Sequence, residues 1–174
     1  MKRWLIGLAV VYCLAGCNDE ANESVINMPE QGELEEPILL AEHLQAPWSI
    51  ESHHNTAYIS ERAGTIIRHA ENEMVRQKVV LGEELSTVAE AGLLGFVLAP
   101  DFERSQSAFA YYTYEVTEGR FNRIVELKLE NDVWHEVRVL LDEVPSGNVH
   151  HGGRLKIGPD GLLYATAGDA AVPD

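Results

Sequence analysis

The sequence predicts an all-β chain that forms part of a β-propeller. Three observations carry this reading. From Pro37 onward, apolar runs of about four to seven residues dominate, and many are rich in Val, Ile, Tyr and Thr. Clusters of turn residues separate these runs, and no stretch beyond the first residues keeps a helical period over three turns. A tyrosine-centred segment also repeats. Ala57-Tyr58-Ile59-Ser60 recurs as Ala110-Tyr111-Tyr112-Thr113 and as Leu163-Tyr164-Ala165-Thr166, with the tyrosines at 58, 111 and 164, an interval of 53 each time.

The expected strands, in chain order, are ILLAEHL (38–44), TAYIS (56–60), TIIRH (65–69), RQKVVL (76–81), LLGFVLA (93–99), AFAYYTY (108–114), RIVELKL (123–129), RVLL (138–141), RLKIG (154–158) and LLYATAG (162–168). Between them stand HHN, RAG, PDFERSQS, EGRFN, END and GPDG, each carrying the Gly, Pro, Asn or Asp that a turn requires. Each tyrosine copy follows an apolar strand and a turn: PWSIESHHN, GFVLAPDFERSQS and LKIGPDG. The first two copies are followed by a further strand carrying Arg, in TIIRH and NRIVELKL. A unit of about 50 residues with several strands is the period of a propeller blade, whereas a sandwich would need the tyrosine register to be coincidental. Propellers close with about 4–8 blades. The span from Cys17 to Asp174 holds about three such units at most, and the last stops at AAVPD without its later strands. The expectation is the N-terminal part of a larger propeller.

The N-terminus reads as an export signal. Lys2 and Arg3 precede an apolar run from Trp4 to Leu14, too short to span a bilayer as a mature helix. Leu14-Ala15-Gly16-Cys17 follows directly and resembles a bacterial lipobox, in which the cysteine is lipidated and becomes the first residue. Residues 1–16 are therefore expected to be a lipoprotein signal peptide and Cys17 a lipid anchor. Several acyl chains on one residue hold firmly where a single chain is marginal. Cleavage also removes Cys13, leaving no cysteine pair for a disulfide. Residues 17–36, acidic and without periodicity, read as a solvated tether, and 37–174 as the propeller portion. The expected location is the exported side of a membrane.

The 174 residues carry 13 Lys and Arg against 28 Asp and Glu, a formal charge of −15. Nucleic acid is excluded as a partner, because its binding needs a basic face.

HHGGRLKIGPDGLLYATAGDA, from His150 to Ala170, holds more chemistry than a hairpin needs. It opens on two histidines and closes on Gly168-Asp169. With PWSIE at 47–51, EAGLLGFVLAPDF at 90–102, YYTY at 111–114 and NRIVELKL at 122–129, it resembles the glucose/sorbosone dehydrogenase family. Its members are soluble aldose dehydrogenases on a six-bladed propeller that use pyrroloquinoline quinone and Ca²⁺. The resemblance covers most of residues 37–174. It implies a sugar substrate and an external electron acceptor. It places the catalytic base at His150, taking the proton of the anomeric hydroxyl while hydride moves to the quinone. An imidazole suits that role because its ordinary pKa of about 6.5 lets it accept a proton near neutrality. Asp169 falls on the acid that orients the base and stabilises its imidazolium, the division of labour of a His–Asp pair in a triad. Glu90 falls near a glutamine of the glucose-oxidising relatives that touches substrate or cofactor, and is a departure from that branch. Arg154 is a candidate cofactor contact beside a structural ion pair. The cofactor's anionic groups need several Arg and Lys. In relatives most of these, and the carbonyls that hold Ca²⁺, lie beyond the position of Asp174, so the 174 residues alone are expected to be inactive.

Other readings stand beside this one. The propeller could bind a sugar or a protein without catalysis, or it could be a metal-dependent lactonase. A zinc site of His150, His151 and Asp169 is conceivable in chemistry. His151 reads otherwise as a turn or supporting residue. His53-His54 sits in an Asn-containing turn and reads as solvent-exposed; neighbours on a strand face opposite ways, so the two are not expected to chelate a metal together. Gly92, Gly95, Gly152 and Gly153 read as close-approach or bulge positions.

Overall fold

A computed structural model describes residues 37–71 and 73–171. The expected signal peptide, Cys17 and the acidic tether lie outside the described residues. All the strands belong to the unit that begins at Ile38.

Two four-stranded antiparallel meanders follow one another, the repeating unit of a propeller blade. The first contains β1 (Pro47–His53), β2 (Thr56–Glu61), β3 (Thr65–Ala70) and β4 (Glu73–Val80). The second contains β5 (Leu93–Leu98), β6 (Ser107–Val116), β7 (Gly119–Glu130) and β8 (Val133–Pro145). A single-turn helix, α1 (Phe102–Ser105), joins β5 to β6. A third unit contributes the hairpin β9 (Gly152–Ile157) and β10 (Leu163–Ala167). The outer strands β4 and β8 meet in a short parallel pairing, Lys78↔Val133 to Val80↔His135, which joins the two meanders into one eight-stranded sheet. The described part is therefore two full blades and the opening hairpin of a third.

The tyrosine repeat is a repeat of position. Tyr58, Tyr111 and Tyr164 all lie on the second strand of their unit. Tyr58 turns its ring into a core shared by the first two units, with Ile66 from the first and Phe96, Phe102 and Trp134 from the second. Tyr111 does the same one unit later, packing with Leu94, Val97, Ile124 and Leu155 of β9. These two tyrosines thus seal each blade against the next. Trp134 is fully buried, with Phe96 edge-on at 5.2 Å, and its Nε1–H donates to Gln77 Oε1 at 2.9 Å. Aromatic pairs of this kind add about 0.5–1.5 kcal/mol beyond the area they bury.

The first strands of the units lie side by side, β1 touching β5 and β5 touching β9. This explains why every residue of β5 is buried, and why LLGFVL reads as an unbroken apolar run rather than an alternating one. Gly95 sits where β5 and β9 come closest: a Cβ there would lie 2.1 Å from the Gly153 carbonyl oxygen. Turn chemistry matches the sequence at the β7–β8 connection, where Asn131 and Asp132 both take left-handed φ, 49° and 60°, as a two-residue primed turn requires.

One expected strand does not form. ILLAEHL pairs with no described strand; Ile38, Leu39 and Leu40 are exposed, and left-handed φ at His43 and Ala46 ends extended geometry before β1 begins at Pro47. An apolar run becomes a strand only when another backbone edge satisfies its N–H and C=O groups. The buried Glu61 had no signal in the sequence. It lies at the end of β2, ion-paired to Arg76 at 2.8 Å and accepting the N–H of Gln45. These bonds outweigh the desolvation that opposes its charge and hold its pKa below the usual carboxylate range.

Candidate active site

The segment from Ser146 to His151 links β8 to β9, and three contacts from distant strands and loops shape it. Arg120, at the start of β7, donates Nη1–H to the Gly147 carbonyl at 2.9 Å and to Asn148 Oδ1 at 2.7 Å. Tyr111 donates its hydroxyl to the His151 carbonyl at 3.0 Å. Burial pushes the Tyr111 phenol up to about 12, so it remains a donor through the physiological range. Glu90 Oε2 accepts the main-chain N–H of His150 at 3.1 Å.

These restraints hold His150 at φ 62°, unusual for a side-chain-bearing residue, with its ring open to solvent. The hairpin does the rest. β9 and β10 pair from Leu163↔Ile157 to Ala167↔Gly152 around the Gly158–Leu162 turn, so the residues flanking its open end meet. His150 Nδ1 lies 2.9 Å from Asp169 Oδ1. Gly168 permits the approach, because a Cβ there would fall 1.6 Å from the His150 carbonyl oxygen.

The Asp169 carboxyl is held below the usual range, first by the N–H of Ala171 and then by the His150 ring. A charged carboxylate can only accept. Nδ1 of His150 is therefore the donor in this contact, and Nε2 is the ring nitrogen not engaged by the carboxylate. The pair can take up a proton at Nε2 and stabilise the resulting cation.

His151 plays a different part. It is buried, Nδ1 meets the Ser146 hydroxyl at 2.7 Å, and Nε2 faces the Asn148 carbonyl at 3.3 Å. Both ring nitrogens are spent on its own loop, so His150, His151 and Asp169 do not converge on a zinc ion. Glu90 is brought to His150, but through its backbone. Arg154 points along β1 instead, donating to the Trp48 carbonyl at 3.2 Å with its guanidinium 6.0 Å from the Trp48 ring centroid. Arg120, Tyr111 and Ser146 were not read as site residues from sequence. Only the conspicuous YYTY run could have drawn attention to one of them.

A family model described as Glucose / Sorbosone dehydrogenase matches residues 44–174. Quinoprotein glucose dehydrogenase B of Acinetobacter calcoaceticus is 30% identical over 126 residues, covering 66% of this chain and 26% of that protein. Among solved structures, the PQQ-bound aldose sugar dehydrogenase of Streptomyces coelicolor superposes with a TM-score of 0.67 at 27% identity, over 76% of this chain and 41% of that one. The soluble aldose sugar dehydrogenase of Escherichia coli, in its apo-form, shares the fold with a TM-score of 0.65 at 23% identity, over 77% of this chain and 41% of that one. The chain thus spans about two fifths of the solved structures and about a quarter of the curated relative.

Proposed function

This chain belongs to the glucose/sorbosone dehydrogenase family, and from that premise we propose that it supplies the catalytic base of a quinone-dependent aldose dehydrogenase. The observation that carries the reading is the His150 Nδ1–Asp169 Oδ1 contact of 2.9 Å, which leaves Nε2 unengaged by the carboxylate. Nε2 takes the proton of the sugar's anomeric hydroxyl as the C1 hydrogen leaves with its electron pair and a carbonyl forms at C1. Asp169 stabilises the imidazolium that results, without itself taking the proton. In this reading pyrroloquinoline quinone, together with Ca²⁺, would supply the two-electron acceptor for that hydride.

The described residues around His150 do not fit the role of holding that cofactor. The side chains that meet His150 are the acidic Glu90 and Asp169, Arg120 is ion-paired to Glu115 at 2.7 Å, and Arg154 is turned to the Trp48 carbonyl. A polycarboxylate needs converging cations. This chain's contribution is therefore the proton-handling pair, and the 174 residues alone should not turn over sugar. Cys17, lipidated, tethers the mature chain through residues 17–36 on the exported face of a membrane.

The test is made in a protein spanning the full family length. His150→Ala should lower kcat and kcat/KM together, by about 10²–10⁴-fold, as expected for a group that acts in the transition state. Asp169→Asn should slow turnover in the same way and to a lesser extent. Unchanged turnover in His150→Ala overturns the proposal, and a rise in KM alone moves His150 to a binding role.

A further inference from the structure

A cluster of potential metal-ligating side chains lies at the C-terminal end of β1. Arg154 bonds Trp48 and Lys156 bonds Glu51, so β9 runs in the same direction as β1. His53 closes the C-terminal end of β1. Neighbouring residues in a strand point to opposite faces. That rule fails at His53-His54, because His54 opens the turn in left-handed φ, 51°. The two rings are thereby brought to one side, with centroids 4.3 Å apart.

The third member comes from α1. The His53 ring packs edge-on against the buried Phe102 at 5.4 Å, and the next residue is Glu103. Its Oε1 touches His54 Nε2 and lies 3.6 Å from His53 Nε2. One ligand atom from each of the three residues falls within 4.8 Å of the others. Among the described residues, this is the cluster that brings three such groups together.

We propose that His53, His54 and Glu103 form a binding site for a divalent transition-metal ion, with Zn²⁺ as the best match. Two imidazole nitrogens and one carboxylate oxygen are a borderline donor set that favours zinc and its neighbours over Ca²⁺ or Mg²⁺, which take oxygen shells. Zinc bonds of about 2.0–2.2 Å in a tetrahedron set ligand atoms about 3.3 Å apart. Small rotations of the exposed His54 and Glu103 side chains reach that spacing, while Phe102 already positions His53. Solvent completes the shell. The ligands are 49 positions apart in sequence, so a bound ion would clamp the β1–β2 turn to α1. The proposal is independent of the catalytic reading of His150.

Titration calorimetry of the tag-free protein without residues 1–17, and so without its two cysteines, with ZnCl₂ after removal of adventitious metal by chelator, tests it. Co²⁺ absorption gives a second readout. One saturable equivalent is expected. His54→Ala and Glu103→Gln should each weaken it by about tenfold or more, with circular dichroism unchanged because both side chains are exposed. Zinc should also raise the Tm of the parent chain and not that of His54→Ala. His135→Ala, on β8, should bind as the parent does. No saturable binding, or binding that persists unchanged in both variants, overturns the proposal.

Discussion

The main-chain N–H of His150 donates to the Glu90 carboxylate at 3.1 Å, across 60 positions of sequence. Glu90 thus acts on the backbone of the proposed base rather than on its ring. Glu90→Ala should lower kcat in a full-length protein with little change in KM. Glu90→Gln, which keeps an acceptor oxygen, should restore most of the loss. Equal kinetics for both variants would assign Glu90 to charge rather than position.

Gly168→Ala should open the end of the β9–β10 hairpin, since a Cβ cannot share space with the His150 carbonyl. A loss of about 2 kcal/mol or more in urea unfolding is expected, the scale of a steric insult at a close approach. Hydrogen exchange at β9 and β10 should rise with it, and unchanged protection there would show that the ends separate without cost.

His151 makes stability depend on pH. Burial pushes its imidazole below the ordinary histidine range. The folded chain then binds fewer protons than the unfolded chain once the pH falls near the unfolded value of about 6.5. Its contribution is complete above that pH, declines as pH falls toward the depressed folded value, and levels off below it. His151→Asn, which keeps a polar group against Ser146 and Asn148, should flatten the fall in urea midpoints as the pH drops below about 6.5. A slope identical to the parent's would refute this.

Cys17→Ala should abolish labelling by a fatty-acid analogue and release the chain from membranes in cells that process bacterial lipoproteins. The expectation rests on Leu14-Ala15-Gly16-Cys17 placed directly after an apolar run. Undiminished labelling of the variant would place the lipid on another residue.

Strand texture, the tyrosine interval and the GPDG turn could all be read along the chain. So could the idea that a hairpin beginning after His150 and ending before Asp169 would bring the two together. These are local facts: side-chain alternation, turn chemistry and the length of one hairpin decide them over about twenty residues. The identity of β1 could not be read so cleanly. Both ILLAEHL and PWSIESH look extended, and only the availability of β2 as a partner made the second a strand.

The sequence by itself determined the repeating blade, the hairpin and the juxtaposition of His150 with Asp169, because each depends on short-range geometry. The tertiary structure decided what holds that pair in place and what else gathers around the sheet. Glu90 and Tyr111 reach the His150 loop from 60 and 40 positions away, and Glu103 reaches His54 from 49. Such partners are chosen by how blades pack face to face, and packing depends on the summed shape of side chains that share no sequence neighbourhood.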